Sequence, residues 1–513
     1  MERRHLLKLA VATAAAASLP RAGWSQAKFT SDPFAIGVAS GSPLHDSVVL
    51  WTRLVGELPA QPVTVRWEVA HDDQFTRIVQ RGQQQAVPEL AHSVHAEVGG
   101  LEPDRWYFYR FMTGDAVSTT GRTRTMPAPD AMVSRLRLAY ASCMRWDHGY
   151  FSAYRHMVAE NLDLVLFLGD YIYEYPAAPN AVRVPTGGWV TTLDEYRARY
   201  ALHRSEASVQ AMHAACPWLL AWDDHEVQND YAGLVAGSGV AVANFAERRA
   251  AAYQAYYEHM PLRASVLTHA VDGSRSGAET RIYSQQSFGK LANIVMIDDR
   301  QYRDAHACNP AGKLGSATLD PATCDSWDDP KRTLLGAAQE QWLDGVFAQR
   351  DATWTVLGQQ TLFGQRDFQA GPGRKLWNDG WDGYPAARKR LAESLERNKT
   401  PNPVLLGGDV HENWVGHVKA DYTRPDSATV GVEFCGTSIT SRSQNYDVAP
   451  VVAENPHIVF ADNKRKGYGV VEFTPKGLTT TLRVVDDVTR PDTKIETLAA
   501  FSVEAGRPRI DRA

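Results

Sequence analysis

The chain has 513 residues, 44% hydrophobic and 22% charged, enough to build two or more cores. Its formal net charge is −5 and no Lys/Arg-rich block interrupts the balance, which excludes a general nucleic-acid binder. Phosphorylated small molecules stay open as partners, because a metal site supplies positive charge locally without changing the total.

Residues 1–27 read as an export signal. Arg3 and Arg4 precede an alanine-rich apolar run at 9–19, and Ser25-Gln26-Ala27 then offers the small residues a signal peptidase inspects. The run is shorter than the ~20 apolar residues of a spanning helix. It resembles a twin-arginine signal, with Leu6 where Phe is frequent; an ordinary Sec signal with a basic start is the alternative. The twin-arginine resemblance implies passage of a folded protein through that export machinery to a periplasmic or secreted location. No other apolar stretch is long enough to span a membrane, so a soluble protein is expected after cleavage.

Residues 30–127 alternate apolar and polar positions between short turns, as at 47–52 and 63–69, and predict an all-β sandwich domain. Residues 101–110, Leu-Glu-Pro-Asp-Arg-Trp-Tyr-Phe-Tyr-Arg, resemble the corner and strand of fibronectin type III or immunoglobulin-like domains. Pro127-Ala128-Pro129-Asp130 makes a linker. From residue 135 to about 500, helical stretches alternate with short apolar runs. Ala387, Leu391 and Leu395 mark one helical face, and Trp342, Val346 and Phe347 another. Apolar runs without alternation suit strands covered on both sides, so this second domain is α/β. The last ~50 residues return to strand-like composition. Of five cysteines, Cys308 and Cys324 share one loop-like stretch and are expected to form a disulfide in an oxidising compartment. Cys216 and Cys435 either pair or stay buried.

Five apolar runs end in residues able to bind metal: 138–142 at Cys143, 164–169 at Asp170, 218–222 at Asp223 and Asp224, 294–297 at Asp298 and Asp299, and 404–408 at Asp409 with His411 two residues on. Ligands of open α/β sheets bind outside the carboxyl ends of the strands, and carboxylates gathered there repel one another unless cations neutralise them. One Asp after one strand is more often a turn residue or helix cap. Five such endings, two with Gly directly before the Asp, favour a multi-metal site.

A spacing of three puts Asp170 and Tyr173 on one side of a tight turn. Phenolate ligation needs a strong Lewis acid, since free Tyr has a pKa of ~10. A thiolate at Cys143 favours a softer transition metal. Together they point to ferric iron, against the plainer reading of Tyr173 and Cys143 as core residues. Asp223, Asp224 and Asn229 offer oxygens to a hard cation such as calcium, unless an Asp simply caps a helix. His225 either protonates a leaving group or binds phosphate. Arg300 and Arg303, with Arg249 in a helical stretch, carry forks that match phosphate oxygens; ordinary salt bridging is equally open to them. Asp409 and His411 are standard parts of two-metal hydrolytic sites.

The ordered set of Phe34 to Pro43, Ala141-Ser142-Cys143, Gly169 to Tyr173, Trp222 to Val227 with Asn229, and Gly408 to His411 resembles the PhoD-type alkaline phosphatases. These are relatives of the purple acid phosphatases among calcineurin-like metallophosphoesterases. The resemblance implies a layered α/β/β/α sandwich, a ferric iron held by Cys143, Asp170 and Tyr173, calcium nearby, Asp170 as a bridge, and Asn229 and Asp409 as further ligands. It leaves open how Asp223, Asp224 and His411 divide between metal and substrate. Asp299 departs from the pattern, standing where Thr is expected before the arginine. The implied activity is hydrolysis of phosphate monoesters and diesters by a metal-bound hydroxide or oxide. Arg300 or another guanidinium would hold the non-bridging oxygens, and a histidine, His225 or His411, would assist the leaving alkoxide. The competing expectations are a phospholipase-type diesterase acting on lipid or polymer phosphodiesters, and a non-catalytic exported binding protein.

Overall fold

A computed structural model describes residues 29–267, 280–424 and 426–513; the signal reading of residues 1–27 lies outside them. Two mixed sheets stack face to face. The larger has ten strands in the order Ile510–Arg512, Ile495–Glu504, Gly477–Val485, Lys466–Phe473, Leu136–Ala141, Leu164–Leu168, Trp218–Ala221, Val38–Gly41, Ser47–Arg53 and Ser93–Gly99. The smaller has seven: Ser284–Phe288, Ala292–Met296, Trp354–Gly358, Pro403–Gly407, Thr429–Cys435, Asn413–Lys419 and Ile458–Asp462. Parallel pairing joins Leu136–Ala141, Leu164–Leu168 and Trp218–Ala221 in the first sheet. It also joins Ala292–Met296, Trp354–Gly358, Pro403–Gly407 and Thr429–Cys435 in the second.

These central strands are apolar throughout because both of their faces are covered. Along Trp354–Gly358, Val356 enters the core between the sheets, with Tyr140, Leu166, Ile294 and Phe434. Leu357 points the other way, to the helices Gly336–Phe347 and Pro385–Arg397. The stripes read from sequence fill that outer layer: Ala387, Leu391 and Leu395 with Val346 and Phe347. Helices Leu193–Arg204, Ala207–Ala215 and Phe245–His259 cover the first sheet, where Trp222 stacks on Tyr253 with ring centroids 4.1 Å apart. The result is the α/β/β/α sandwich, and each parallel strand delivers its carboxyl end to one edge.

The N-terminal segment forms the β-sandwich that alternation suggests, and it shares one of its two layers with the larger sheet. One layer is its own, from Val63–Ala70, Ile78–Ala86, Trp106–Thr113, Ala116–Val117 and Gly121–Arg124. The other consists of Val38–Gly41, Ser47–Arg53 and Ser93–Gly99, which continue the ten-stranded sheet, Gly41 lying opposite Trp218 in parallel register. Val65, Val69, Tyr109 and Phe111 pack on Val48, Leu50 and Val98 between the layers. The expected corner is present: Glu102 N–H donates to the Tyr107 hydroxyl at 2.9 Å. Cys308 and Cys324 are disulfide-bonded, whereas Cys216 and Cys435 are buried and free. Among the described residues, no helix is long and apolar enough to cross a membrane.

A methyl group on Gly41 would lie 2.7 Å from the Pro261 carbonyl oxygen and 2.8 Å from that of Trp218, backbone atoms that cannot swing aside. Gly41→Ala is therefore expected to destabilise the folded chain by about 1–3 kcal/mol, read as a lower urea midpoint. An unchanged midpoint would mean that the junction is loose.

Candidate metal centre

The strand ends carry backbone that ordinary residues avoid. Cys143, Asp170, Asp409 and His411 sit at φ of 60, 59, 63 and 60°, a left-handed conformation costing of order 1–3 kcal/mol per residue. Two glycines let the strand ends approach. A Cβ at Gly169 would lie 2.4 Å from the Asp223 Cβ, and one at Gly408 would lie 2.4 Å from the Ser142 hydroxyl. Glu226 ties the turns together, its buried carboxylate accepting from the N–H groups of Asp170 (3.0 Å), Tyr171 (2.6 Å) and Asp223 (2.7 Å). Burial, with the charge of Asp223 adding, pushes this carboxyl up to about 8 against those three donors.

Cys143, Asp170 and His411 bring donor atoms within 4.8 Å of one another. The Tyr173 hydroxyl donates to Asp170 Oδ2 at 2.8 Å and lies 3.2 Å from His411 Nε2. His411 Nδ1 is 3.0 Å from the Arg442 carbonyl, which only accepts, so Nδ1 carries the proton and Nε2 presents a lone pair to the site. Burial, then Lys466, lowers the His411 imidazole to about 3. Burial, then Asp170, raises the Cys143 thiol well above its ordinary value.

Three further groups overlap the first: Asp170, Asp224 and His225; Asp223, Asp224 and Asp409; Asp224, Asp230 and Asp379. Burial and then the charges of Asp224, Asp223 and Glu226 hold Asp170 far above the usual carboxylate range, against the pull of His225. Asp223 is pushed up to about 7 by burial and Asp224, despite its pairing with Arg300. Arg300 also pairs with Asp379 at 2.6 Å, and its Nη2 lies 3.7 Å from Asp409 and 3.9 Å from Asp224. His225 Nδ1 is 2.7 Å from Glu174 Oε2, and its ring lies 4.1 Å from that of Tyr173. Burial opposes its protonation, but Asp224, Asp170 and Glu174 overcome this and raise the imidazole well above its ordinary value.

The donor set fits a cluster of cations. Asp223 Oδ2 and both carboxylate oxygens of Asp299 are buried with no hydrogen-bond partner, an arrangement that native proteins keep for a reason. Asp298, by contrast, is the turn residue that its position suggests, accepting from the N–H groups of Arg300 and Gln301.

Of the residues singled out in the sequence, Cys143, Asp170, Tyr173, Asp223, Asp224, His225, Arg300, Asp409 and His411 converge here. Asn229 stands at the rim. Its Nδ2 donates to Ser238 Oγ at 2.7 Å, so Oδ1 is the end a cation would meet. Arg303 lies behind the cluster, paired with Asp379 and donating to its carbonyl at 2.8 Å. Arg249 is not brought into the site: it donates to the Gly233 carbonyl at 2.9 Å. Sequence reasoning missed Glu174, the brace of His225, and Thr361, which donates to Asp409 Oδ2 at 2.7 Å. It also missed Asp379, whose setting Asn378-Asp379-Gly380 reads as an ordinary turn. Asp230 and Glu226 lay within the quoted acidic stretch without a role.

Two sheets stacked face to face, with a buried acidic cluster at the carboxyl ends of their parallel strands, give the architecture of the metallophosphoesterase-like class. Family models agree with that class: residues 138–482 match the PhoD-like phosphatase, and 16–127 its N-terminal domain. Alkaline phosphatase D of Bacillus subtilis (strain 168) is 45% identical over 490 residues, spanning 92% of this chain and 81% of that protein. A solved structure described as that of PhoD superimposes with a TM-score of 0.89 at 43% identity, covering 95% of this chain and 93% of that one. The chain belongs to the PhoD-like phosphatase family, and is thereby a phosphoric ester hydrolase.

Glu226→Ala would strand three buried N–H groups, each at about 1–3 kcal/mol. A large drop in thermal midpoint is expected, with Glu226→Gln falling between it and the parent. A midpoint within a degree of the parent would show that the tie is dispensable.

Proposed function

We propose that the chain is an exported, metal-dependent alkaline phosphatase hydrolysing phosphate monoesters and diesters. The observation that carries this reading is the unbroken run of overlapping donor groups from Cys143 to Asp379, with one orphaned carboxylate oxygen, Asp223 Oδ2, among them. The name of the Bacillus relative supports the activity. Cys143, Asp170 and Tyr173 would hold ferric iron with His411 beside them. Asp223, Asp224, Asn229 and Asp409 would hold calcium, with Asp170 shared and Asp230 and Asp379 extending the acidic side. Bound there, the ions would polarise phosphoryl oxygens and lower the pKa of an attacking water.

The chain's own groups do the rest. Arg300 is locked by Asp223 and Asp379 on two of its nitrogens, while its buried Nη2 makes no hydrogen bond and faces Asp224 and Asp409; a phosphate oxygen held between those carboxylates' cations would be within its reach. Arg303 supports it through Asp379. His225, holding its proton against Glu174, is the group that hands a proton to the leaving alkoxide. Asp409, His411, Asn229 and Asp230 are only partly buried and form the mouth by which an ester enters.

Export by the twin-arginine route to the periplasm or medium fits the opening residues. The division into a β-sandwich at 30–127 and a catalytic domain at 135–500 is supported by the two family matches and the Pro-rich linker, while the signal at 1–27 rests on the opening residues alone. Specificity rests on loop shape, so a lipid or polymer diesterase is the second outcome of a substrate panel.

Purified protein should turn over a chromogenic monoester and a diester, lose both activities on chelation and recover them with iron and calcium together. Asp170→Asn should lower turnover by more than about 100-fold, beyond what an outer partner costs. Chelation without effect would reject the reading. The native protein should also be coloured by a tyrosinate-to-ferric band that Tyr173→Phe abolishes; an equally coloured variant would remove Tyr173 from the ligand set.

A further inference from the structure

Beyond the strand Thr429–Cys435, the chain reaches the Ser142–Cys143 end of the larger sheet and threads beneath the metal centre before returning to its own sheet at Ile458–Asp462. Residues Thr437, Ser438, Ile439, Thr440 and Ser441 are buried, and polar atoms of this strap hold the backbone of Cys143 and His411 and touch Tyr173. Gly436 N–H donates to the Gly407 carbonyl at 2.9 Å, and Ile439 N–H to that of Ser142 at 3.0 Å. The Cys143 carbonyl accepts from the N–H groups of Thr440 and Ser441, both at 3.3 Å, and from the Ser441 hydroxyl at 2.9 Å. The His411 carbonyl accepts from Thr437 Oγ1 (3.0 Å), Ser443 Oγ (2.6 Å) and Lys466 Nζ (2.7 Å). Two of the four left-handed residues are therefore pinned by this one strap.

Ser441 has a second contact, its hydroxyl lying 2.7 Å from that of Tyr173. A serine hydroxyl has a single proton, and here two oxygens compete for it, the Cys143 carbonyl and the Tyr173 phenol. The phenol's own proton points to Asp170. Once Tyr173 binds as a phenolate, that proton is gone and its oxygen is a charged acceptor, which outcompetes a neutral carbonyl.

We propose that Ser441 is the positioning residue of Tyr173, donating its hydroxyl proton to the ligating phenolate oxygen while the strap at 436–443 fixes Cys143 and His411 around it. The proposal rests on the reading of Tyr173 as an iron ligand. A hydrogen bond to a phenolate lowers its filled orbitals, so loss of the donor brings the charge-transfer transition to lower energy.

The test is the visible spectrum, iron content and steady-state kinetics of full-length Ser441→Ala and Ser441→Cys, the latter preserving volume with a much weaker donor. Both should shift the band to longer wavelength, lower iron affinity about 10-fold and reduce kcat more than they raise KM. In a Tyr173→Phe background, Ser441→Ala should add little further loss of iron. A band unmoved in the cysteine variant would overturn the proposal, as would a full additional loss in the double variant. A colourless iron-loaded parent would instead overturn the iron reading on which it rests.

Discussion

Negative charge packed into a dry interior is the constraint around which this molecule is arranged. Asp223, Asp224, Asp299, Asp379 and Asp409 arrive from strand ends and loops within reach of one guanidinium, that of Arg300, and Asp170 joins them beside Asp224. Side chains that repel one another do not gather unless the backbone forces them to, and the force here is topological. Parallel strands in two stacked sheets all end at the same edge, and the cores above and below hold them there. Stability is spent on this arrangement, because each buried carboxyl without a counter-charge weakens the fold. Part of that cost is offset by Arg300 itself, which pairs with five of these carboxylates.

The left-handed turns show the same economy at the level of single residues. Cys143, Asp170, Asp409 and His411 each adopt a conformation that an L side chain resists, and three of them, Cys143, Asp170 and His411, are held by backbone hydrogen bonds. Glu226 gathers the N–H groups on one side, while the strap at 436–443 gathers the carbonyls on the other. The donor atoms are aimed by backbone hydrogen bonds rather than by long flexible side chains, so little conformational freedom remains to be lost on binding an ion.

Much of this was legible from the chain alone, for a physical reason. A strand buried on both faces must be apolar throughout, so an acid at its end stands out; Asp170, Asp223, Asp224 and Asp409 were visible in that way. The pairing of Asp170 with Tyr173 followed from spacing, and the disulfide from two cysteines in one loop. What stayed hidden depends on contacts between distant segments. Asp379 follows a two-residue strand and looks like any turn. Ser441 is one hydroxyl in a run of small polar residues. Arg249 and Arg300 carry the same chemistry, and only packing separates the one under a loop from the one in the site. Nor does alternation reveal which sheet an edge strand joins, so the continuation of Val38–Gly41 into the larger sheet was not legible.

That last feature has a mechanical meaning. Because Val38–Gly41 pairs with Trp218–Ala221 at Gly41 and Trp218, the N-terminal layer and the strand leading to Asp223 and Asp224 are joined by sheet pairing as well as by the chain, so swinging one against the other would have to break that pair.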